Sequence, residues 1–170
     1  MDQIFLGLGS NLGDRADYLH QAITKLANMQ QTIVKKCSSV YETEPVGVKE
    51  QPQFFNMAAE LDSALPPKEL LRELKRIECT LGRKHSEHWG PREIDIDLLY
   101  YGYEMFNDSE LNIPHPEIAN RRFVLVPLKE IAAEFHDPLR NLRVEELLQR
   151  CLDTSSVRKI SQTEYSQVKE

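Results

Sequence analysis

Between Glu93 and Leu99 the side chains change character at every step, with Ile94, Ile96 and Leu98 separated by Glu93, Asp95 and Asp97. A period of two belongs to a strand with one buried face. The chain must therefore build a sheet that covers the isoleucines, and Asp95 and Asp97 must share the opposite face. Two carboxylates on one strand face, with no lysine between them, repel each other unless a cation joins them or water surrounds them. A hard divalent cation such as Mg²⁺ is the natural occupant of such an oxygen pair. The bland alternative is a solvated face on a sheet with one wet side. The neighbouring arginines favour the metal: Arg83 and Arg92 bracket a loop that returns to this strand, so two guanidinium forks can converge on the carboxylates. Forks of that shape match phosphate oxygens, and carboxylates, metal and arginines together describe a polyphosphate site.

The rest of the chain supplies elements for that sheet. Ile4 to Leu8 is short and apolar and stops at Gly9-Ser10-Asn11, a strand followed by a turn. Asp14 is placed to cap a helix with apolar positions Leu19, Ile23, Leu26 and Ala27. Thr32 to Tyr41 reads as a second strand, and Glu42 to Gln53, with Pro45, Gly47 and Pro52, as a loop. Phe55, Met57, Ala59 and Leu61 then alternate with Asn56, Ala58, Glu60 and Asp62 in a third strand. Pro66-Pro67 opens a second helix, Leu70, Leu71, Leu74, Ile77, Glu78 and Leu81 form its inner stripe, and Gly82 ends it. The polar loop Lys84 to Pro91, the aspartate strand and a turn at Gly102 follow. Helices are expected over Val124 to Ala133 and Val144 to Cys151, with a loop at Asp137-Pro138 between them. Asp153 to Glu170 is polar and without apolar periodicity, and is expected to be a loosely held tail. This order predicts an α+β sandwich, a mostly antiparallel sheet covered by helices. At 170 residues the chain reads as one domain over 1–152 with a polar tail over 153–170.

Composition narrows the function classes. With 41% hydrophobic and 28% charged residues, neither wholesale disorder nor a membrane protein is indicated. No apolar run reaches spanning length, and Met1-Asp2-Gln3 leads straight into a strand, so the cytoplasm is the expected location. Cys37, Cys79 and Cys151 are scattered and odd in number, which suits reduced thiols packed as small apolar groups. The net charge of −6 speaks against a nucleic-acid partner held by a broad basic surface.

Other residues carry weaker signals. GLGSNLGDR contains Gly7, Gly9 and Gly13 but lacks both the G-x-G-x-x-G order and a P-loop lysine. A tight strand-to-helix turn that needs small residues is the preferred reading. Phe54, Trp89 and Phe123 stand beside polar neighbours; any one alone is ordinarily core, yet two flat rings can sandwich a planar heterocycle. Asn56 can offer a donor and an acceptor to the edge of such a ring, against the bland alternative of a strand-edge amide bonded to backbone. His85, His88, His115 and His136 show no metal-ligand spacing, and only His115, held between Pro114 and Pro116, is stiff enough for a ligand contact.

These segments together resemble the 6-hydroxymethyl-7,8-dihydropterin pyrophosphokinase family of folate biosynthesis. The likeness runs from about Ile4 to Glu146 and rests on GLGSNLGD, Tyr41-x-Thr43 with Pro45 and Gly47, Gln51-Pro52 through Asn56, Ile77-Glu78 before Gly82-Arg83, WGPREIDIDLL, IPHP, and Arg121-x-Phe123 leading to Pro127-Leu128. The WGPR-x-x-D-x-D stretch is the most specific of them. The resemblance implies transfer of a pyrophosphoryl group from ATP to the hydroxymethyl oxygen of the pterin, giving AMP, on a ferredoxin-like α-β-α sandwich. It implies that Asp95 and Asp97 hold two Mg²⁺ ions along the triphosphate while Arg83 and Arg92 grip the phosphates. Phe54 and Phe123 would clamp the pterin, and Asn56 with the backbone around Thr43, Pro45 and Val46 would read its edge. Trp89 would sit on a loop that closes over both substrates. Leu71, Lys75, Glu78, Leu98, Asn112, His115 and Arg121 would line the nucleotide pocket. The implied form is a monomer that binds ATP and the pterin, with no nucleic-acid or membrane partner. Three features depart from the pattern: Phe54 stands where tyrosine is frequent, Glu110 occupies a place that can carry a base, and the Arg83 to Trp89 loop is one residue shorter than in some relatives. No second catalytic module is expected at this length.

Overall fold

The computed structural model describes residues 3–83 and 90–167. Strand β1 (Ile4–Ser10) lies at the centre, with all but one of its residues buried. Gly13, at φ +64°, turns the chain into α1 (Arg15–Ala27), whose first turn is capped by the Asp14 carboxylate accepting the Asp17 N–H at 2.9 Å. Strands β2 (Thr32–Cys37) and β3 (Tyr41–Thr43) both pair with the long β4 (Phe54–Ser63). Helix α2 (Pro67–Thr80) ends at Gly82, at φ +92°, and β5 (Asp95–Tyr101) pairs with the free side of β1. All these pairings are antiparallel, and β3-β4-β1-β5 with two crossing helices is the ferredoxin-like order.

Beyond β5 come a small hairpin, β6 (Phe106–Asn107) and β7 (Asn112–Ile113), then α3 (Arg122–Ala132) and α4 (Val144–Arg150) on the other side of the sheet. Ile4, Leu6, Leu8, Phe55, Met57, Ile96 and Leu98 pack against α1 and α2, whereas Phe5, Ala58, Leu99 and Tyr100 pack against α3 and α4. The expected α-β-α sandwich holds. Because β4 is covered on both faces, its apolar and polar alternation does not mark a wet side: Asn56, Ala58 and Glu60 are as buried as their neighbours.

Three expectations need correction. The single strand over Thr32 to Tyr41 is divided, because Ser38 answers Ala58 twice: its N–H donates to the Ala58 carbonyl at 2.9 Å and its Oγ accepts the Ala58 N–H at 2.8 Å. A side chain replaces a ladder carbonyl there, and the strand resumes at Tyr41 and runs two residues into the expected loop. The loop at Asp137-Pro138 is a hairpin, β8 (His136–Asp137) and β9 (Leu142–Arg143), built on the fully buried Asp137 carboxylate, which accepts from Tyr100 Oη and Arg140 Nη1, each at 2.7 Å. As far as Gln167 the tail is not loose. Val157–Lys159 forms β10 against β3 as the sheet edge, Ile160 is buried, and in α5 (Gln162–Gln167) the Tyr165 hydroxyl donates to the Ala16 carbonyl at 2.9 Å. Among the described residues, no helix is long and apolar enough to cross a membrane.

Candidate active site

A cavity of about 550 Å³ lies over the sheet, reaching from the carboxylate end of β5 past the start of α3 to Thr43 and Phe54. Its floor follows from strand register. Asp95 lies opposite Gly9, which lies opposite Asn56, and Asp97 lies opposite Gly7, which lies opposite Ala58. The bare backbone of β1 thus separates two carboxylates from an amide. A Cβ on Gly9 would overlap Asn56 Oδ1, so only glycine lets that amide lie against β1. Gly7 and Gly9 are therefore strand residues that floor a cavity; of the three, Gly13 alone serves the turn.

At the charged end, Arg83 Nη1 donates to Asp95 Oδ1 and Arg92 Nη1 to Asp95 Oδ2, each at 2.8 Å. The two arginines converge as the sequence predicted, but both settle on Asp95. No ion pair to Asp97 occurs among the described residues, and burial, followed by the charge of Asp95, pushes the Asp97 carboxyl up to about 7. Arg92 Nε is buried with no hydrogen-bond partner among the described residues. Arg83 Nη1 also meets Glu78 Oε2 at 2.6 Å, while Glu78 Oε1 accepts the Ile96 N–H at 2.7 Å. One buried carboxylate thereby satisfies the open edge of β5 and orients Arg83. Burial raises the pKa of Glu78, and Lys75 partly offsets it.

At the other end, Phe54, Phe123, Thr43, Val46 and Asn56 line the wall. Asn56 Nδ2 donates to Thr43 Oγ1 at 2.7 Å with both residues buried, so its partner is a hydroxyl on a neighbouring strand, and Asn56 itself sits on a central strand. Arg121 stands 5.8 Å from the centre of the Phe123 ring. Pro45 is buried outside the cavity lining.

Of the residues expected at a nucleotide, Lys75, His115 and Arg121 line the cavity. His115 Nδ1 accepts the Glu117 N–H at 3.2 Å, which places the ring proton on Nε2, and burial, then Arg121, hold its pKa below the usual value. Leu71 lies in an adjoining depression that shares Lys75. Three others do not line the cavity. Glu78 is behind Arg83, Asn112 is exposed on β7, and Leu98 points to the α2 side, as its alternation with Asp97 requires. Glu110 is engaged by Arg72 at 3.0 Å and Lys68 at 3.8 Å. Trp89, with His85 and His88, lies outside the described residues.

Sequence reasoning missed Asn11. Almost fully buried, it donates from Nδ2 to Gln51 Oε1 and the Pro52 carbonyl, each at 3.0 Å, and accepts the Arg92 N–H at 2.7 Å. It joins the segment before β4 to the backbone of a site arginine. A polar residue directly after an apolar strand was the available signal. Glu44 also lines the cavity and was missed.

A family model described as 7,8-dihydro-6-hydroxymethylpterin-pyrophosphokinase matches residues 5–133. The chain belongs to the pyrophosphokinase family. Among its relatives, the 2-amino-4-hydroxy-6-hydroxymethyldihydropteridine pyrophosphokinase of Bacillus subtilis is 45% identical over 130 residues, 76% of this chain and 78% of the relative. The Haemophilus influenzae protein of the same name is 36% identical over 154 residues, 91% of this chain and 96% of the relative. The crystal structure of wild-type Plasmodium falciparum HPPK-DHPS with pteroate matches at a TM-score of 0.70 and 14% identity, a likeness of fold, and this chain spans 42% of that one while 88% of its own length is covered. The pyrophosphokinase match ends before β8, so β10 lies outside it.

Proposed function

We propose that this pyrophosphokinase transfers a pyrophosphoryl group from ATP to the hydroxymethyl oxygen of 6-hydroxymethyl-7,8-dihydropterin, giving AMP and the pterin diphosphate in folate biosynthesis. The observation that carries this reading is one cavity with two chemically different ends: Arg83, Arg92, Asp95 and Asp97 at one, Phe54, Thr43, Asn56 and Phe123 at the other. A triphosphate suits the first and a flat, polar-edged ring suits the second.

The residues present fit Mg²⁺. Asp95 and Asp97 share a face, Asp97 lacks an ion partner among the described residues, and the buried Arg92 Nε lacks an acceptor. A magnesium-bound triphosphate would bring positive charge to the first and phosphate oxygen to the second. No cluster of three or more His, Cys, Asp or Glu groups able to hold a metal occurs among the described residues, so Asp95 and Asp97 would hold Mg²⁺ together with phosphate and water oxygens. Two bound ions would supply charge neutralisation along the triphosphate and polarise the attacking hydroxyl.

The chain's own groups then bind and orient. Arg83 and Arg92, already gathered on Asp95, face the charge that grows on the transferring phosphate. Phe54 and Phe123 stack the pterin, and Asn56 and the backbone near Thr43, Pro45 and Val46 read its edge. Lys75, Leu71, His115 and Arg121 hold the nucleotide, with His115 neutral and donating from Nε2. No protein nucleophile is needed, because the substrate's own hydroxyl attacks and phosphoryl transfer asks mainly for positioning and electrostatic stabilisation. The working form is a monomer, since one chain provides every group named, and dependence on ATP supports a cytoplasmic location.

The test is product analysis. With ATP, Mg²⁺ and the pterin, phosphorus NMR should report AMP and a pterin diphosphate in equal amounts; release of ADP, or an unaltered pterin, rejects the reading.

A further inference from the structure

We propose that Glu44 is a specificity-determining residue for the pterin, accepting the N–H donors of its 2-amino-4-oxo edge. The inference rests on the pyrophosphokinase reading above and adds a side chain to it. Glu44 follows Thr43 at the end of β3, is half-buried, and lines the heterocycle end of the cavity. Its position is set from outside the family-matched stretch. The Ser156 N–H donates to Glu44 Oε1 at 2.8 Å, the Glu44 N–H donates to the Ser156 carbonyl at 3.3 Å, and the next residue, Val157, pairs with Thr43. The residue that leads into edge strand β10 thus holds one carboxylate oxygen. The other, Oε2, has no hydrogen bond or ion pair among the described residues.

Glu42, two residues earlier, shows the contrast. Its carboxylate is engaged by Arg15 and Arg158, each at 3.2 Å. No such cation reaches Glu44 among the described residues. The ligand chemistry fits what is left open. A 2-amino-4-oxopyrimidine edge presents parallel N–H groups on the exocyclic nitrogen and on N3, which a carboxylate can accept with the open Oε2 and the lone pair of Oε1 that Ser156 leaves unused. Asn56 complements it, because Nδ2 is committed to Thr43 and its second amide proton and Oδ1 remain for the other atoms of the ring.

The experiment compares Glu44→Gln and Glu44→Ala with the unaltered protein by titration calorimetry, using the pterin, its analogue lacking the 2-amino group, and a non-hydrolysable ATP analogue with Mg²⁺. Glutamine keeps an oxygen for the Ser156 N–H but turns a donor amide toward the ring. Both variants should bind the pterin about tenfold or more weakly, in line with loss of a charge-assisted hydrogen bond. They should also lose the discrimination against the desamino analogue while ATP-analogue affinity stays unchanged. Unchanged pterin affinity overturns the proposal. So does weakening in Glu44→Ala alone, which would make Glu44 only an anchor for β10, or equal weakening of both ligands, which would signal a general structural change. If the unaltered protein binds no pterin, the pyrophosphokinase reading itself falls; pterin binding indifferent to Glu44 removes this inference alone.

Discussion

Gly9 and Asn56 face each other across β1 and β4 with no room for a methyl group between them, and a Cβ on Gly9 would also meet the Phe54 ring at 3.6 Å. The Asn56 amide of the heterocycle wall therefore depends on one missing side chain, whereas the Phe54 ring would merely be touched by it. Gly9→Ala is expected to displace the Asn56 amide, weaken the pterin about tenfold and lower stability by about 1–3 kcal/mol. Titration with the pterin and a urea melt measure the two effects. Undiminished affinity would show that the amide reaches the ring without help from Gly9.

Asp97→Ala removes the carboxylate that lacks an ion partner among the described residues while leaving the aromatic wall untouched. Turnover should fall by at least about 10²–10³-fold, the scale seen when one electrostatic contact to the transition state is lost. Pterin affinity should stay within about twofold, since no pterin-side residue moves. Initial rates of AMP formation decide it, and full activity would remove Asp97 from the metal assignment.

Asp97 also governs how stability depends on pH in the absence of Mg²⁺. Its pKa is about 7 in the fold against an ordinary 3.8, so the folded protein holds the proton more tightly. The unfavourable contribution is absent below about 3.8, grows as pH rises through that window and is complete above about 7. Asp97→Asn should therefore be the more stable protein at pH 8 and match the unaltered chain at pH 4. Thermal melts across this range, with and without Mg²⁺, should show the gap narrowing when the ion is added. A gap independent of pH would contradict a half-buried carboxylate that Lys75 and Arg121 only partly compensate.

Arg83→Ala leaves Glu78 buried with Lys75, 3.5 Å away, as its remaining partner among the charges that now surround it. Stability should drop by about 2 kcal/mol, less than for a wholly buried pair because Arg83 keeps some contact with water. Adding Glu78→Gln should restore much of that loss, because glutamine still accepts the Ile96 N–H and carries no charge, while turnover stays low. If the double variant is no more stable than Arg83→Ala, Glu78 does not depend on this arginine.

The parts of the site that lie within one strand were legible in advance. Asp95 and Asp97 fall on one face because their apolar neighbours fix the pleat, and the α2 terminus at Gly82 delivers Arg83 to that face. Leu98 shows the limit of a resemblance: the alternation that pairs Asp95 with Asp97 also turns Leu98 to the opposite layer. Features built from distant segments left no periodic trace. Asn11 reaches Gln51 and Arg92, forty and eighty-one positions away, and Ser156 reaches Glu44 across 112. Strand β10 escaped notice for a related reason, since a three-residue edge strand contributes backbone pairing more than a buried face.

Asn11 gives the two ends of the cavity a common mooring, its amide on Gln51 and Pro52 and its oxygen on the Arg92 backbone. A drug-sized compound lodged between Phe54 and Phe123 that pushes the Gln51–Pro52 segment outward would pull on that mooring and shift a phosphate-gripping arginine. Resistance arising through changes in that segment would then carry a cost in turnover.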